Sequence, residues 1–530
     1  MTRAACLLFP VALAAFSAPP RAQTAADGLR IYEPVRQGVV RMVDTNGAVV
    51  HEWATMGNRN GGMGLHVDGT LYRGVQAPPT GAVQKVGLDG KMQWLYYSPA
   101  GLRTHHDIEV LPNGNVLMIA MELKSSAEAI AEGRDPATVP GILEPDAIIE
   151  IKPTGDRTGD VVWQWHIWDH LVQDFDPTKQ NFGVVGDHPE LVDVNYPRSL
   201  FLGSEFNHMN GIDYDPVHDW IVMSSPLHDE IWIIDHSTTT AEAAGHTGGR
   251  WGKGGDLLYR WGNPQVYDAG APSAVQLDFQ HDPQFIPPGY PGAGNLTVFS
   301  NNPTSGISEV VEIVLPVDGT GQFMLTPGGA YGPAAPVWSY SDPGFYSQIM
   351  SSAERLPNGN TLICSGRQGH VFEVTSSGQT VWETFETVGT ASLFQAHFVK
   401  RSLWADNESM SASSGGSVQF DLFAGSPRAG HIFLMMGSAS GTAPGFLYRG
   451  ATIPLNPDGY LSGVLSSLGR GAFVDWVGVT DTVGTARATF TLPPLPFLVG
   501  LQLDHAMITA DPVVRNVTLA TNPVPLVFAP

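Results

Sequence analysis

Short runs in which apolar and polar residues alternate fill most of this chain, and Gly, Pro, Asn and Asp residues separate one run from the next. This period of two is the pattern of β-strands joined by tight turns. One unit, a strand on each side of a turn, recurs as VLPNGNVLMIAME (110–122), RLPNGNTLICSGR (355–367), FIPPGYPGAGNLTVFSNN (285–302) and, more weakly, LHVDGTLYRG (65–74). A second unit, in which a turn and a few β-formers lead to a Trp, occurs six times, at 44–53, 87–96, 159–165, 254–261, 334–340 and 376–385.

The repeats predict an all-β chain whose larger part is a six-bladed β-propeller at residues 28–404. A strand–turn–strand unit with a Trp-bearing hairpin cannot bury its own apolar faces, and such units stack radially around a channel. The first Trp unit precedes every strand–turn–strand unit, and FQAHFVKRSLW (394–404) ends the series without a Trp hairpin, so these two pieces are expected to close one blade together. Helix-like insertions at 125–138 and 166–181 should lie over one mouth of the channel. An open array of β-sandwiches remains the alternative.

The two ends of the chain differ in composition from the repeats. Residues 1–24 combine an early Arg with an apolar run from Ala4 to Ala18, the pattern of a secretory signal peptide. Residues 405–417 are rich in Ser and Gly and are interpreted as a linker. Short alternating strands in 418–530 predict an accessory β-sandwich domain, typical of a module that contacts the cell surface.

Charge and cysteine content narrow the function classes. The formal net charge of −23 disfavours nucleic acid and anionic membrane surfaces as partners. Beyond the signal peptide only Cys364 remains, so no internal disulfide can form. No apolar run reaches the roughly 18 residues that a membrane-spanning helix needs. The sequence thus predicts a secreted protein, periplasmic or extracellular, with no membrane span.

Histidines begin several of the first strands of the repeat. His106 and His281 each stand six residues before the Pro of their turn, and His208 begins a similar run. First strands of all blades start at one mouth of a propeller channel, so these three side chains should meet there. His105 is expected to point away from His106, because neighbouring side chains on a strand face opposite sides.

Second strands return to the same mouth. Their ends should bring Asn301, Arg367 and the segment 224–228, which contains His228, alongside the histidines. A neutral imidazole is a nucleophile toward sulfur or phosphorus. A zinc or copper site on the same histidines stays open as a second interpretation, although few carboxylates share their face of the strands.

Four motifs, in order, are HHDIEVLPNGN, HMNGIDYD, YRWGNP and FQHDPQF. With them the chain resembles the bacterial arylsulfate sulfotransferases over residues 30–400. The resemblance implies a secreted six-bladed propeller that needs no cofactor and passes a sulfuryl group from an aryl sulfate to a phenolic acceptor in a ping-pong reaction. It places His281 as the nucleophile, His208 and Asn210 on the sulfuryl oxygens, and His106 as the remaining channel histidine.

The chain departs from the family pattern at Pro226, where the family has an Arg that would bind the sulfate. We therefore expect Arg367, His228 and Asn301 to bind the substrate, and no metal. Two other functions stay open: a non-catalytic extracellular ligand-binding propeller, and a metal-dependent enzyme on the same histidines.

A long segment, WIIDHSTTTAEAAGHTGGRWGKGGDLLYRWGNP (232–264), is interpreted only as a Gly-rich loop with Lys253 as an extra cation. A phosphate-binding loop is excluded because no strand–loop–helix pattern surrounds it. His246 within it lacks the offset of the three site histidines and is interpreted as an ordinary residue.

Overall fold

Six four-stranded antiparallel sheets form the first three-quarters of the protein. They are seen in a computed structural model that describes residues 24–57, 60–75, 80–139, 141–196, 203–326, 328–387 and 392–530. From the innermost strand outward they are sheet 1 (Leu393–Val399, Leu29–Pro34, Val39–Val43, Val49–Ala54), sheet 2 (Asn60–Leu65, Leu71–Val75, Ala82–Val86, Met92–Tyr97), sheet 3 (Arg103–Val110, Val116–Met121, Asp146–Gly155, Thr158–His166), sheet 4 (Ile212–Asp215, Trp220–Ser225, Glu230–Asp235, Tyr259–Trp261), sheet 5 (Gln280–Phe285, Leu296–Ser300, Glu309–Ile313, Trp338–Tyr340) and sheet 6 (Ser352–Arg355, Thr361–Ser365, His370–Val374, Thr380–Phe385). The expected all-β propeller class is confirmed.

The innermost strands contact one another in a closed ring, each with the next sheet and that of sheet 6 with that of sheet 1. Sheet 1 combines both ends of this segment, with Leu29 opposite Val399 and Ile31 opposite His397. Joining the two ends in one sheet removes the free edges that an open sheet would expose.

The recurring Trp residues join neighbouring sheets. Each lies on the outermost strand of its sheet, and for five of the six the indole N–H donates to a backbone carbonyl in or beside the next sheet, whereas that of Trp53 has no partner among the described residues. The pairs are Trp94 with Thr158 (2.9 Å), Trp165 with Gly255 (2.6 Å), Trp261 with Pro333 (2.8 Å), Trp338 with Ser376 (2.8 Å) and Trp382 with Thr45 (2.9 Å). A large apolar ring with one donor suits this position, because the ring packs between sheets while its N–H is satisfied. This explains the Trp repeat in the sequence.

Carboxyl groups join the innermost strands. Each accepts a backbone N–H from the innermost strand of the next sheet: Asp107 from Ile212 (3.1 Å), Asp213 from Phe285 (2.6 Å), Asp282 from Ala353 (3.1 Å) and Glu354 from Phe398. An innermost strand has one unpaired edge, and a buried N–H without a partner is costly. These side chains supply the missing acceptors.

Helices are few and short. The α-helices are Ser126–Ala131, Thr240–Ala243 and Gly459–Ser466, and the 3-10 helices are Pro136–Thr138, Ile167–Asp169, Val185–Asp187, Pro264–Tyr267, Pro272–Ala274, Gly366–Gln368, Ser426–Arg428 and Pro496–Leu498. The insertion predicted at 125–138 starts with Ser125, which caps its helix reciprocally with Glu128. In the insertion at 166–181 only one 3-10 turn forms. Two short strand pairs, Lys124–Ser125 with Ile142–Leu143 and Leu171–Val172 with Val192–Asp193, complete this region.

The rest of the chain forms two facing sheets around a shared apolar core. One contains Leu403–Ala405, Gly416–Phe423, Thr485–Leu492 and Phe473–Val474, and the other contains Ser409–Ser411, Val524–Ala529, Gln502–Ala510, Ile432–Ser438 and Val477–Val479, with Val517–Ala520 at its side and the hairpin Phe446–Tyr448 and Ala451–Ile453 nearby. Residues 405–417 are not a linker, which corrects the sequence prediction. Met410 and Ala412 are buried in the core, Ser409–Ser411 forms a strand of the second sheet, and the small polar residues Ser413 and Ser414 belong to a turn of the domain itself.

The N-terminal end of the described chain is fixed to sheet 6. The backbone N–H of Ala26 donates to Glu373 (2.7 Å), and Asn360 donates to the carbonyl of Thr24 (3.0 Å). The predicted signal peptide lies almost wholly outside the described residues, since the description begins at residue 24. Among the described residues, no helix is long and apolar enough to cross a membrane.

Candidate functional site

Three predicted histidines meet at the start of the innermost strands. The ring centroids of His106 and His208 lie 4.5 Å apart, and Phe279 lies 6.4 Å from His208 and 6.1 Å from His281. His106 and His208 both have left-handed backbone (φ 55°), which bulky residues adopt only where the surrounding structure holds them there. We call His106, His208 and His281 the histidine cluster.

His281 is held in one tautomer. Its Nδ1 lies 2.7 Å from Oδ1 of Asn301, an atom that can only accept, so Nδ1 carries the proton. Its Nε2 then has a free electron pair and accepts a 3.2 Å hydrogen bond from the backbone N–H of Met350. Burial, together with the charge of His208, lowers the pKa of His281 to about 3, although the hydrogen bond with Asn301 opposes the change. The ring is therefore neutral at physiological pH.

Asn301 is a positioning residue. Its Nδ2 donates to the carbonyls of Ser347 (2.7 Å) and Met350 (3.0 Å), and its Oδ1 binds His281. Both N–H donors of its amide and the amide oxygen make hydrogen bonds, and the side chain is fully buried. The prediction that Asn301 binds substrate is therefore corrected, because no donor of its amide is left for a ligand.

His105 belongs to the site, contrary to the strand-alternation argument. The Nδ1 atoms of His105 and His106 are 2.6 Å apart, and Nε2 of His105 lies 2.7 Å from Asp146. Strand pairing shifts register between Thr104 and Ile108, and this bulge brings both rings to the same side. Because Asp146 accepts from His105, the Nδ1 of His105 accepts from Nδ1–H of His106, which leaves Nε2 of His106 unprotonated. Burial and the charge of His208 hold the pKa of His106 well below its usual range.

His208 is oriented by an acid that the sequence argument missed. Its Nδ1 contacts the carboxylate of Glu205 three residues earlier. The hydrogen bond and charge of His208 lower the pKa of Glu205 although burial opposes this, so the carboxylate is ionised. Nδ1 of His208 therefore donates, and Nε2 is the atom left for a ligand. A Glu three residues before a site histidine is the sequence signal that could have identified Glu205.

His228 does not face the cluster as predicted, whereas the predicted contact of Asn210 with the sulfuryl oxygens stays a prediction. Nδ2 of Asn210 donates to the carbonyl of Gln280 (2.9 Å), so Asn210 fixes the backbone just before His281, while its Oδ1 has no partner among the described residues. His228 is fully buried between Tyr196, Phe206 and Trp232. The prediction of substrate binding by His228 is therefore corrected. The turn after Ser225 folds its ring back, and Nδ1 lies 2.9 Å from the Ser225 hydroxyl.

Pro226, where the resemblance to the family leads us to expect an arginine, is a buried turn residue whose carbonyl accepts from the backbone N–H of Asp229. Two other arginines lie close to residues of the site, Arg103 close to His106 in the sequence and Arg367 next to Gly366, which packs against Met350. Arg103 is half exposed, contacts Glu144 at 3.2 Å, and its charge helps to lower the pKa of His106. Arg367 is exposed, and its neighbour Gly366 accommodates Met350, the residue that contacts His281. The sequence argument identified Arg367 and missed Arg103, which stands two residues before the HHD motif.

A family model described as Arylsulfotransferase (ASST) matches residues 18–310, more than half of the chain. The chain belongs to the arylsulfotransferase family. Residues 18–310 include the whole histidine cluster and Asn301, whereas Arg367 lies beyond them. Membership supports a sulfotransferase-type function, for which aryl sulfates and phenols are fitting substrates.

The other comparisons are remote. No curated protein matches this arylsulfotransferase family member. A solved protein of unknown function from Bacteroides caccae is 11% identical, with a TM-score of 0.41, over 71% of this chain and 100% of that chain. One from Desulfotomaculum acetoxidans is 10% identical, with a TM-score of 0.36, over 71% and 87%. The β-propeller domain of Myceliophteria thermophila Cps50 (Swd1) is 11% identical, with a TM-score of 0.36, over 68% and 88%.

Proposed function

We propose that the protein transfers a sulfuryl group from an aryl sulfate to a phenol through a covalent intermediate on His281. The observation that carries the proposal is the protonation state and fixed orientation of the His281 ring. Asn301 holds the proton on Nδ1, and the lowered pKa keeps the electron pair on Nε2 free at neutral pH. Activation of a nucleophile requires such an unprotonated, oriented atom.

In the first step Nε2 of His281 attacks the sulfur of the aryl sulfate. An N–S bond forms, the S–O bond to the aryl group breaks, and the electron pair leaves on the aryl oxygen as a phenolate. The sulfur displaces the long hydrogen bond from Met350 N–H, which then donates to a sulfuryl oxygen. When Nε2 of His208 carries a proton while Nδ1 donates to Glu205, Nε2–H donates a second hydrogen bond to a sulfuryl oxygen.

In the second step a phenol attacks the same sulfur. Nε2 of His106 accepts the phenolic proton, an O–S bond forms, the N–S bond breaks, and its electron pair returns to Nε2 of His281. His105 and Asp146 act as positioning residues, because they hold the proton of His106 on Nδ1. The negative sulfuryl group offsets the like-charge repulsion that otherwise disfavours protonation of His106.

Arg103 and Arg367 are proposed to attract the anionic donor in place of the family arginine. A half-exposed cation three residues before His106 suits this role better than the buried Pro226 does. Secretion to the periplasm or the outside of the cell is likewise proposed, on the apolar run from Ala4 to Ala18. The C-terminal two-sheet domain is proposed as a module that contacts the cell surface.

Mass spectrometry of the donor-treated protein tests the mechanism. With 4-nitrophenyl sulfate and no acceptor, we expect one added sulfuryl group on the peptide that contains His281, and its loss when phenol is added. His281→Ala should remain unmodified, whereas His370→Ala, on the outer part of sheet 6, should be modified like the wild type. Unmodified wild-type protein that still binds the donor would replace this proposal with a ligand-binding propeller.

A further inference from the structure

A second group of titratable side chains lies outside the histidine cluster, in the Gly-rich segment that the sequence argument left unexplained. His246 and Asp256 belong to this segment, and His170 comes from the loop after the outermost strand of sheet 3. One ligand atom from each of the three residues lies within 4.8 Å of the others. Nδ1 of His170 and Nδ1 of His246 approach the same atom, Oδ1 of Asp256, at 2.9 and 2.7 Å.

The hydrogen bonds of His170 leave an electron pair directed at a carboxylate. Its Nε2 lies 2.8 Å from the carbonyl oxygen of Ala243, which can only accept, so Nε2 carries the proton. In the neutral ring Nδ1 is then unprotonated and faces the Asp256 oxygen, which is also an acceptor. A cation bound to both atoms removes this repulsion. A carbonyl partner on the far nitrogen is also the usual way in which proteins orient a metal-binding histidine.

The ring of His170 is tightly packed by its neighbours. The ring is fully buried and stacks on Trp165, with centroids 5.5 Å apart and planes 6° from parallel. Gly255 is needed beside it, because a Cβ there would lie 2.0 Å from the Ala243 carbonyl oxygen and 2.6 Å from Nε2 of His170. The indole of Trp165 donates to the Gly255 carbonyl at 2.6 Å. The buried imidazole is thus fixed before any ligand arrives.

We propose that His170, His246 and Asp256 bind a divalent transition-metal ion that fastens the Gly-rich segment of sheet 4 to the exit loop of sheet 3. Two imidazoles and one carboxylate are a common donor set for zinc and its neighbours. Ligand atoms about 2.0–2.1 Å from one metal lie about 2.9–3.4 Å from each other. The His170 distance already fits this range, and His246, whose side chain is 60% exposed, has room to withdraw slightly.

Remaining coordination positions are available to water. His246 lines a cavity of about 440 Å³ together with Trp168, Leu171 and His188. The ion has no part in the proposed sulfuryl transfer, because the described contacts of the histidine cluster include none of its three ligands. Its role is structural: it links two segments that Trp165 and His170 already join through hydrogen bonds to Gly255, Ala243 and Asp256.

Metal content tests the site. After treatment with EDTA and equilibration with zinc chloride, the gel-filtered wild type should retain about one equivalent of zinc per chain. His246→Ala, which removes an exposed side chain, and Asp256→Asn should each lower retention at least about tenfold. His370→Ala, from a His–Glu pair on sheet 6, should retain zinc like the wild type.

A second measurement excludes loss of fold as the cause. Zinc should raise the midpoint of thermal unfolding of the wild type and of His370→Ala but not of His246→Ala, whose circular dichroism should be unchanged. Cobalt should give the visible absorption of a low-symmetry site in the wild type and in His370→Ala but not in His246→Ala. Retention of no zinc by the wild type, or equal retention by His246→Ala, would overturn the proposal and leave a hydrogen-bonded imidazolium in its place.

Discussion

Two groups of side chains on the same innermost strands respond to burial in opposite ways. The histidine cluster lies at the starts of these strands. The carboxylate cluster, which consists of Asp107, Glu109, Asp213, Asp282 and Glu354 with His397, includes the residues that directly follow His106 and His281. Burial lowers the pKa of His281 to about 3 and raises that of Asp282 to about 8. In both groups burial therefore favours the uncharged form of these side chains, although the chemistry of their residues is opposite.

The difference lies in what their polar atoms do. Carboxyl oxygens of Asp107, Asp213 and Asp282 are committed to backbone N–H groups of the next sheet. Each histidine has one nitrogen fixed by a side chain, Asn301, His105 or Glu205, and the other nitrogen faces the site, where that of His281 accepts a long hydrogen bond from the backbone N–H of Met350 (3.2 Å). Equal burial thus produces structural acceptors in one cluster and an available nucleophile in the other. His397 balances the carboxylate cluster: burial alone would lower its pKa, but Glu354 and its acidic neighbours raise it to about 9.

The largest expected effect is a difference in transfer rate between variants of two adjacent residues, His281 and Asp282. His281→Ala should lower the rate of transfer from 4-nitrophenyl sulfate to phenol by at least about 10³-fold, because the attacking atom is lost. Asp282→Asn should retain the rate within about tenfold, because Asn tolerates the left-handed backbone at this position (φ 51°) and can still accept from Ala353. The measurement is steady-state nitrophenol release. Comparable losses in both variants would mean that the clusters are not functionally distinct.

The sequence was sufficient to predict the ring of strands but not the connections within the site. Turn spacing and the Trp repeat predicted the all-β propeller, because both follow from local chemistry that recurs in every sheet. His105, Asp146 and Glu205 were missed because their contacts depend on a bulge and on left-handed backbone at His106 and His208. His228 was misplaced for a related reason, since a turn, and not strand direction, decides where its ring points.

A smaller effect should follow when a negative charge is placed beside the histidine cluster. Asn301→Asp places a carboxylate against Nδ1–H of His281, which stabilises the imidazolium and raises the pKa of this ring. We expect kcat/KM at pH of about 6 to fall about 10- to 100-fold. The rate of the wild type should stay flat down to pH of about 5, while the acid limb of the variant moves toward neutral pH. An unchanged limb would show that Asn301 does not set the protonation state of the nucleophile.

The carboxylate cluster should change how the free energy of unfolding depends on pH. A raised pKa of Asp282 means that the folded state keeps a proton that the unfolded chain releases above pH of about 4, so this group costs stability as pH rises from about 4 to 8. Asp282→Asn removes that dependence and should increase the free energy of unfolding at pH 8, relative to pH 5, by about 1–3 kcal/mol. Denaturant unfolding at both pH values measures it.

Asp107→Asn tests the same effect at a carboxyl group whose pKa is raised less than that of Asp282. Its pKa is raised only to about 6, so its gain at pH 8 should have the same sign and be smaller than that of Asp282→Asn. Equal gains would indicate that burial raises the pKa of both carboxyl groups alike, whereas a loss in both variants would indicate that they are ionised in the folded state and stabilised by His397.

The smallest effect concerns the cation beside the histidine cluster. Arg103→Gln should raise the KM for the aryl sulfate about two- to fivefold and leave kcat unchanged, because a half-exposed guanidinium attracts the anionic donor without contacting the reacting atoms. The increase should shrink in about 0.5 M salt, where exposed charges are screened. Arg157→Gln is the matched control, since Arg157 is exposed at a turn between the two outer strands of the same sheet. A salt-independent rise in KM would instead place Arg103 in direct contact with the sulfuryl group, as the substitute for the arginine that Pro226 replaces.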